Sequence, residues 1–415
     1  MITNLLFRYH QIRLQSELIC EPLEPEDYVV QPIVDVSPPK WHLGHTTWFF
    51  EQMLLVPFMP DYKLFHPEYN YVFNSYYETV GNRVLRTNRG NLSKPSVVDI
   101  YSYRKYVDKC MKDFIENINL STELLNIIEI GLQHEQQHQE LLYYDIKYIL
   151  GNNPLFPKYR EESNNKNLSS ATPLGFLDVS EGIYKVGHNS DGFCFDNEKG
   201  HHSVFLHDYI IGDRLITNAE FLEFIQDGGY QDFRHWYSEA WEWVKTNDKK
   251  APFHWHNMDG VWYNYTMHGL KKVNLDTPVA HVSQFEAAAF AKWKGMRLPT
   301  EFEWEVACGI HQPSIPVSAN LSDMDTFEPI QPTEGNYQFY GDLWEWTSSA
   351  YTAYPYYEAP EGALGEYNGK FMTNQMVLKG GSYATPRNHI RPTYRNFFHP
   401  HLNWQFTGIR LAKHV

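Results

Sequence analysis

The stretch Leu132–Leu142 (L-Q-H-E-Q-Q-H-Q-E-L-L) constrains this chain more than any other. It lies inside an apolar-periodic run, Leu124–Leu150, with no proline and one glycine. At about 3.6 residues per turn, His134 and His138 stack one above the other on a single helical face. Ile127, Gly131, Leu141, Leu142 and Asp145 fall on or beside that stripe, so the two imidazoles point where a core face points. Two stacked, inward-facing imidazoles can chelate one metal ion. Hydrogen-bonded core histidines fit the same spacing, so the choice rests on the remainder of the chain.

At 415 residues the chain is long enough for two or three domains with substantial cores. Its 35 basic and 50 acidic residues give a net charge of -15, which disfavours nucleic acid and anionic membrane as partners. Cys20, Cys110, Cys194 and Cys308 are far apart and form no C-x-x-C pair, as expected of free thiols in a reducing cytosol. The start of the chain has no apolar signal core and no long apolar run follows, so a soluble, cytoplasmic protein is expected.

Residues 1–157 read as helical. Helices are predicted over Thr3–Cys20, from Ser37-Pro38-Pro39 onward with Ser37 as N-cap until Pro57 and Pro60 end it, over Val97–Asn117, and over the opening stretch. His66–Pro95 reads as a long ordered loop. Together these predict a four-helix bundle with a site among facing side chains. Residues 158–172 are polar and read as a linker. Residues 173–415 read as a loop-rich α+β domain with two helices, Asn218–Gln226 and Gln284–Lys294.

His134-Glu135-Gln136-Gln137-His138 fits H-E-x-x-H, the helix of zinc peptidases with Glu135 as general base. That reading needs a third ligand downstream, and only Glu161 or Glu162 offers one. The rival reading takes the third ligand from the helix of His42 and His45. Three neutral imidazoles with open positions suit a catalytic Fe(II) or Zn(II). Glu140 points away from the His134/His138 direction and suits a carboxylate that holds an imidazole N–H.

The pairing of W-H-L-G-H-T-T-W-F-F-E (Trp41–Glu51) with H-x3-H-x-E (His134, His138, Glu140) resembles the DinB-like domain of ergothioneine-type sulfoxide synthases. The second half resembles the formylglycine-generating-enzyme fold, a relative of C-type lectin-like domains. The matching stretches are T-N-A-E-F (Thr217–Phe221), R-L-P-T-E-F-E-W-E (Arg297–Glu305), G-D-L-W-E-W-T (Gly341–Thr347), K-G-G-S-Y (Lys379–Tyr383) and F-T-G-I-R-L-A (Phe406–Ala412). The two domains in one chain resemble the sulfoxide-synthase family of ergothioneine biosynthesis. True formylglycine-generating enzymes carry a cysteine pair near their C-terminal end, whereas the last cysteine here is Cys308; the second domain is therefore expected to supply pocket walls that close the site.

The resemblance implies Fe(II) held by His45, His134 and His138. It implies an O2-dependent reaction that joins a thiol to C2 of hercynine (trimethylhistidine) and oxidises the sulfur to a sulfoxide. Tyr76 and Tyr77 match an active-site tyrosine pair able to deliver a proton. Arg86 and Arg89 match arginines that hold the carboxylate of the thiol substrate, a task suited to guanidinium. Gln137, together with Asn396, Phe397 and Phe398 in a loop that closes over the substrate, matches the hercynine side, where aromatic faces suit a quaternary ammonium. The Tyr-Tyr and R-N-F-F stretches resemble members that take cysteine rather than γ-glutamylcysteine. Rival readings are an ovothiol- or selenoneine-type synthase, the zinc peptidase, and a non-catalytic lectin-like binding protein.

Overall fold

The computed structural model describes residues 2–162, 171–331 and 335–415. The chain divides into two compact units, Met1–Arg160 with Gly362–Glu366, and Glu161–Glu361 with Tyr367–Val415. Residues 163–170 of the stretch read as a linker lie outside the described residues.

The first unit is helical. Its elements are α1 (Ile2–Cys20), α2 (Pro39–Phe50), α3 (Val56–Phe58), α4 (Tyr69–Phe73), α5 (Val97–Asn117) and α6 (Thr122–Gly151). Helix α2 packs on α5 and α6, and α1 packs on α6 and α5. Helix α5 runs over the predicted residues, started by a capping box in which Ser96 Oγ accepts from Asp99 N and the Asp99 carboxylate accepts from Ser96 N.

Two expectations for this unit need correction. Ser37 is not an N-cap: the helix opens at Pro39 behind Pro38. Ser37 N donates instead to Asp145 Oδ2, and its hydroxyl accepts from Arg89. The helical run from Pro39 continues through a π-turn at Glu51–Leu55 into α3 and ends at Phe58, between Pro57 and Pro60 as expected. The stretch read as a loop holds α4 and a 3-10 turn at Arg86–Asn91.

The centre of the helical packing is ionic. Glu135, fully buried, accepts from Arg13 Nη1 at 2.8 Å, Arg104 Nη2 at 3.0 Å and Ser16 Oγ at 2.7 Å. Arg13 also donates to Thr47 Oγ1 and Asp108 Oδ1, while Arg104 reaches the Leu43 carbonyl and the Arg13 carbonyl. One carboxylate thereby ties α1, α2, α5 and α6 together. Burial pushes the Glu135 carboxyl up, yet Arg13 and Arg104 more than offset it and hold it below the usual range.

The second unit mixes short strands and helices in the order β1 (Phe176–Val179), β2 (Gly182–Val186), β3 (His202–Leu206), β4 (Tyr209–Gly212), α7 (Asn218–Gln226) and α8 (Ser238–Thr246). It continues with β5 (Trp255–Met258), β6 (Val261–Thr266), β7 (Gly269–Lys272), α9 (Gln284–Trp293), α10 (Glu301–His311) and β8 (Trp344–Ala350). The last elements are β9 (Met376–Lys379), β10 (Asn396–Phe398), β11 (Thr407–Gly408) and β12 (Ala412–His414). The sheets run β1-β4-β12, β10-β9-β8-β11, β2-β3 and β5-β6-β7. Helices α8 and α10 add to the two expected here.

The sequence motifs of this unit resolve into caps and core pairs. In T-N-A-E-F and R-L-P-T-E, Thr217 with Glu220 and Thr300 with Glu303 form capping boxes. Arg214 and Arg297 each fork onto the capping glutamate. Trp304 Nε1 donates to Glu345, which also receives Arg410, and all three side chains are buried.

Glu135→Leu is expected to destabilise the first unit by about 3–5 kcal/mol, since two buried arginines lose their common partner. Chemical denaturation of the variant against the parent measures this.

Candidate metal centre

Helices α2 and α6 place His45, His134 and His138 around one point. One nitrogen from each lies within 4.8 Å of the others. Ring centroids are separated by 4.9 Å (His45–His134), 4.7 Å (His45–His138) and 4.6 Å (His134–His138). Two glycines allow this closeness. A Cβ on Gly131 of α6 would lie 2.7 Å from Phe50 Cε1 and 2.9 Å from Phe49 Cε1, both on α2. A Cβ on Gly44 would lie 2.2 Å from the Phe73 ring. Phe73 must approach because its carbonyl, 2.7 Å away, holds His45 Nδ1.

All three imidazoles are held neutral by burial. It lowers the His134 pKa to about 3, and it pushes His45 and His138 well below the ordinary value, with neighbouring histidines adding to the effect. Neutral imidazoles offer lone pairs, the requirement for metal ligation. His45 Nδ1–H donates to Phe73 O, so its Nε2 carries the lone pair. The donor set is therefore three neutral nitrogens, which fits a divalent first-row metal.

The side chains beside the cluster fall into a stacked column. Arg89 lies 3.4 Å over the Trp41 ring, Trp41 stacks on His45 at 4.7 Å, and His45 stacks on Trp48 at 5.4 Å. Trp48 then meets Tyr77 at 5.4 Å, and Tyr77 stacks on Tyr76 at 4.7 Å. Trp41, His45 and Trp48 share a face because they sit four and three residues apart. Asn74 pins the tyrosine loop: its Oδ1 accepts from Tyr77 N, and its Nδ2 donates to the Tyr77 and Gly81 carbonyls. Glu366, of the same unit, accepts from the Glu78 and Thr79 amides and from the Thr79 hydroxyl.

The two arginines expected to act together part company. Arg89 is buried, donating to Ser37 Oγ and Ser75 Oγ, and its Nε has no hydrogen-bond partner among the described residues. No carboxylate pairs with it there, and burial, aided by Arg86, pushes its pKa well down. Arg86 is exposed and donates to the Asp35 carbonyl. Arg83 pairs with Glu78.

Gln137 is half-buried on the turn between the two α6 histidines. Glu140 is buried and accepts from Tyr144 OH at 2.5 Å. Asp145, further along α6, is joined to the histidines. Asp145 Oδ2 lies 2.9 Å from His42 Nε2, and His42 Nδ1 lies 2.8 Å from His138 Nδ1. The stripe of α6 already held Asp145, seven residues beyond His138, and that spacing was the available signal. Asn396, Phe397 and Phe398 belong to the second unit and form β10, a strand paired with β9 rather than a loop. Phe397 stacks on Tyr351 at 4.1 Å, and Phe398 meets Trp404 edge-on at 5.2 Å.

Glu135 has no freedom to serve as the base of an H-E-x-x-H peptidase. Its carboxylate points into the arginine cluster on the other side of α6.

A helical pair of histidines completed by a third from a neighbouring helix, in a chain that also carries an α+β unit, defines a class that its relatives make specific. The model of the sulfatase-modifying factor enzyme 1-like domain matches residues 162–326 and 319–415, and the chain belongs to that family. It is 29% identical over 405 residues to the hercynine oxygenase of Mycolicibacterium smegmatis, with 91% of each chain covered. It is 32% identical over 320 residues to that of Mycolicibacterium thermoresistibile, spanning 68% of this chain and 67% of the relative. Ergothioneine biosynthesis protein 1 of Schizosaccharomyces pombe is 28% identical over 231 residues, 53% of this chain and 28% of the relative. The chain belongs to the hercynine oxygenase family.

Gly131→Ala is expected to lower stability. The methyl group must displace buried phenylalanine rings, at about 1–3 kcal/mol, against the roughly 1 kcal/mol that alanine gains in a helix. A fall in Tm together with weaker metal uptake would show that the glycine sets the α2–α6 distance; unchanged Tm would argue against it.

Proposed function

We propose that this protein is an Fe(II)- and O2-dependent sulfoxide synthase acting on hercynine and a thiol, cysteine in preference to γ-glutamylcysteine. The observation that carries the reading is the three-histidine cluster, all nitrogen, neutral and buried, in a chain of the hercynine oxygenase family. The stoichiometry closes on one O2: a C–S bond replaces the imidazole C2–H and the thiol S–H, one oxygen atom goes to sulfur, and the other leaves as water with both hydrogens. Iron, held by His45, His134 and His138, would supply the redox chemistry and open positions beside which the reactants are gathered.

The chain's own residues do the rest. Arg89, a buried guanidinium with no carboxylate partner among the described residues, is suited to receive the carboxylate of the amino-acid thiol. Such anchoring holds the sulfur near the histidines and replaces diffusional encounter with a fixed geometry. Arg86, on the surface, contributes less to this. Tyr77 and Tyr76, at the end of the stacked column, place phenol groups that can hold or deliver a proton near the site. Gln137, on the α6 turn between the histidines, and Asn396, Phe397 and Phe398 are proposed for the hercynine side, and Glu140 for support of the α6 face. We read the helical unit as DinB-like, the second as C-type-lectin-like, and the protein as cytoplasmic.

Anaerobic loading with Fe(II), followed by hercynine, cysteine and O2, should yield a product whose mass is that of the two substrates plus one oxygen atom less two hydrogens. γ-Glutamylcysteine should react more slowly. Absence of an O2-dependent conjugate with any thiol or selenol donor would sink the proposal, and a conjugate only with unmethylated histidine would redirect it to the ovothiol type. In the same assay, Arg89→Met should raise the KM for cysteine far more than Arg86→Met does. Equal effects would remove the distinction drawn between the two arginines.

A further inference from the structure

The stacked column accounts for His45, and the α6 stripe accounts for His134. His138 has a separate support that none of the roles above uses. Its Nδ1 does not face a carbonyl or a carboxylate but another imidazole nitrogen, His42 Nδ1, at 2.8 Å. Two imidazole nitrogens at that distance share one hydrogen, so one must donate and the other accept.

The far side of His42 decides which. His42 Nε2 lies 2.9 Å from Asp145 Oδ2, and the same oxygen accepts from Ser37 N at 2.8 Å. A carboxylate oxygen accepts, so the His42 hydrogen sits on Nε2 and its Nδ1 is left with a lone pair. His138 Nδ1 must then be the donor, and His138 Nε2 is left with the lone pair that ligation requires. The reverse order would put the hydrogen on His138 Nε2 and leave that nitrogen no lone pair to offer a metal. All three side chains are buried, at 2% (His42), 9% (His138) and 2% (Asp145) exposure, so water does not compete for these positions.

We propose that Asp145 and His42 form a positioning relay that fixes the tautomer and ring orientation of His138, presenting its Nε2 lone pair to the metal. The relay rests on the reading of His45, His134 and His138 as the metal-holding set. Asp145 acts at two removes, through an interposed histidine, rather than by direct contact with the ligand. Ser37, two residues before α2, fixes the carboxylate and so connects the relay to the start of the helix that carries His42 and His45. Partners that orient a ligand imidazole in this way are generally worth about 10–100-fold in metal affinity.

The test is anaerobic Fe(II) affinity, measured on the full-length protein by competition with a chromophoric chelator. Co(II) absorption of the same variants reports the ligand field. His42→Leu removes the acceptor for His138 Nδ1–H and should weaken Fe(II) binding about 10–100-fold. His42→Asn places an amide oxygen near the former Nδ1 and should recover most of that loss, together with the parent Co(II) spectrum. A purely structural His42 would lower Tm in both variants and leave Fe(II) affinity at low temperature unchanged, which would overturn the proposal. Should His42→Leu fail to fold, Asp145→Asn decides. It keeps the shape, removes the charge, and should still weaken Fe(II) binding several-fold; parent-like affinity there overturns the relay. His138→Ala separates the two levels. If it binds Fe(II) as the parent does, the metal-site reading itself fails. If it loses Fe(II) while His42→Leu does not, only the relay fails.

Discussion

A single buried charge organises the helical unit. Glu135 lies at the meeting point of α1, α2, α5 and α6, and its partners Arg13, Arg104 and Ser16 come from two of the other helices. An isolated carboxylate at that depth would be expelled or protonated, and two arginines without it would be equally unwelcome. The cluster exists only when all the helices are in place. It also settles the rotation of α6. With Glu135 turned toward Arg13 and Arg104, its neighbour His134 is carried round to the α2 side, and His138 follows one turn later. A slip of one residue along α6 would separate both sets of contacts together.

The histidine cluster is then a matter of distance between two helices. Gly131 lets α6 come down onto Phe49 and Phe50, and Gly44 lets Phe73 approach α2 and hold His45 by its carbonyl. Each of the three imidazoles is kept neutral by burial, and each is oriented differently: His45 by a backbone carbonyl and two indoles, His138 by another imidazole, His134 by its place on α6 against Phe49. The polar support lies behind the rings and leaves their facing nitrogens toward one another.

Much of this could be read from residue order, where order and local spacing carry the information. Helix α5 begins at a Ser-x-x-Asp capping box and matches its expected span, and α7 does the same behind Thr217 and Glu220. The histidine pair on α6 and its partner on α2 follow from helical periodicity and motif. Pairings between distant segments do not. Glu135 looked like part of a catalytic signature because Arg13 and Arg104 lie 122 and 31 residues away. His42 and Asp145 each stood on the correct face, yet nothing local joins them across 103 residues. Helix α8 was missed for a plain reason: Tyr237 precedes it and caps nothing. Helix α10 does carry a Thr-x-x-Glu box, so its signal was present and was absorbed into a longer motif. Arg86 and Arg89 are alike in sequence, and what separates them is tertiary: Trp41, Ser37 and Ser75 bury Arg89 and leave Arg86 at the surface.

The Arg89–Trp41–His45 stack has an electrical meaning as well as a mechanical one. The Arg89 charge is felt at His42, His45 and His138, where it makes protonation harder. An anion seated on that guanidinium would cancel much of this field and render the same imidazoles more electron-rich. By reciprocity, a cation among the histidines strengthens the hold of an anion on the arginine side. The arginine and the histidines are thus coupled electrostatically across one indole ring.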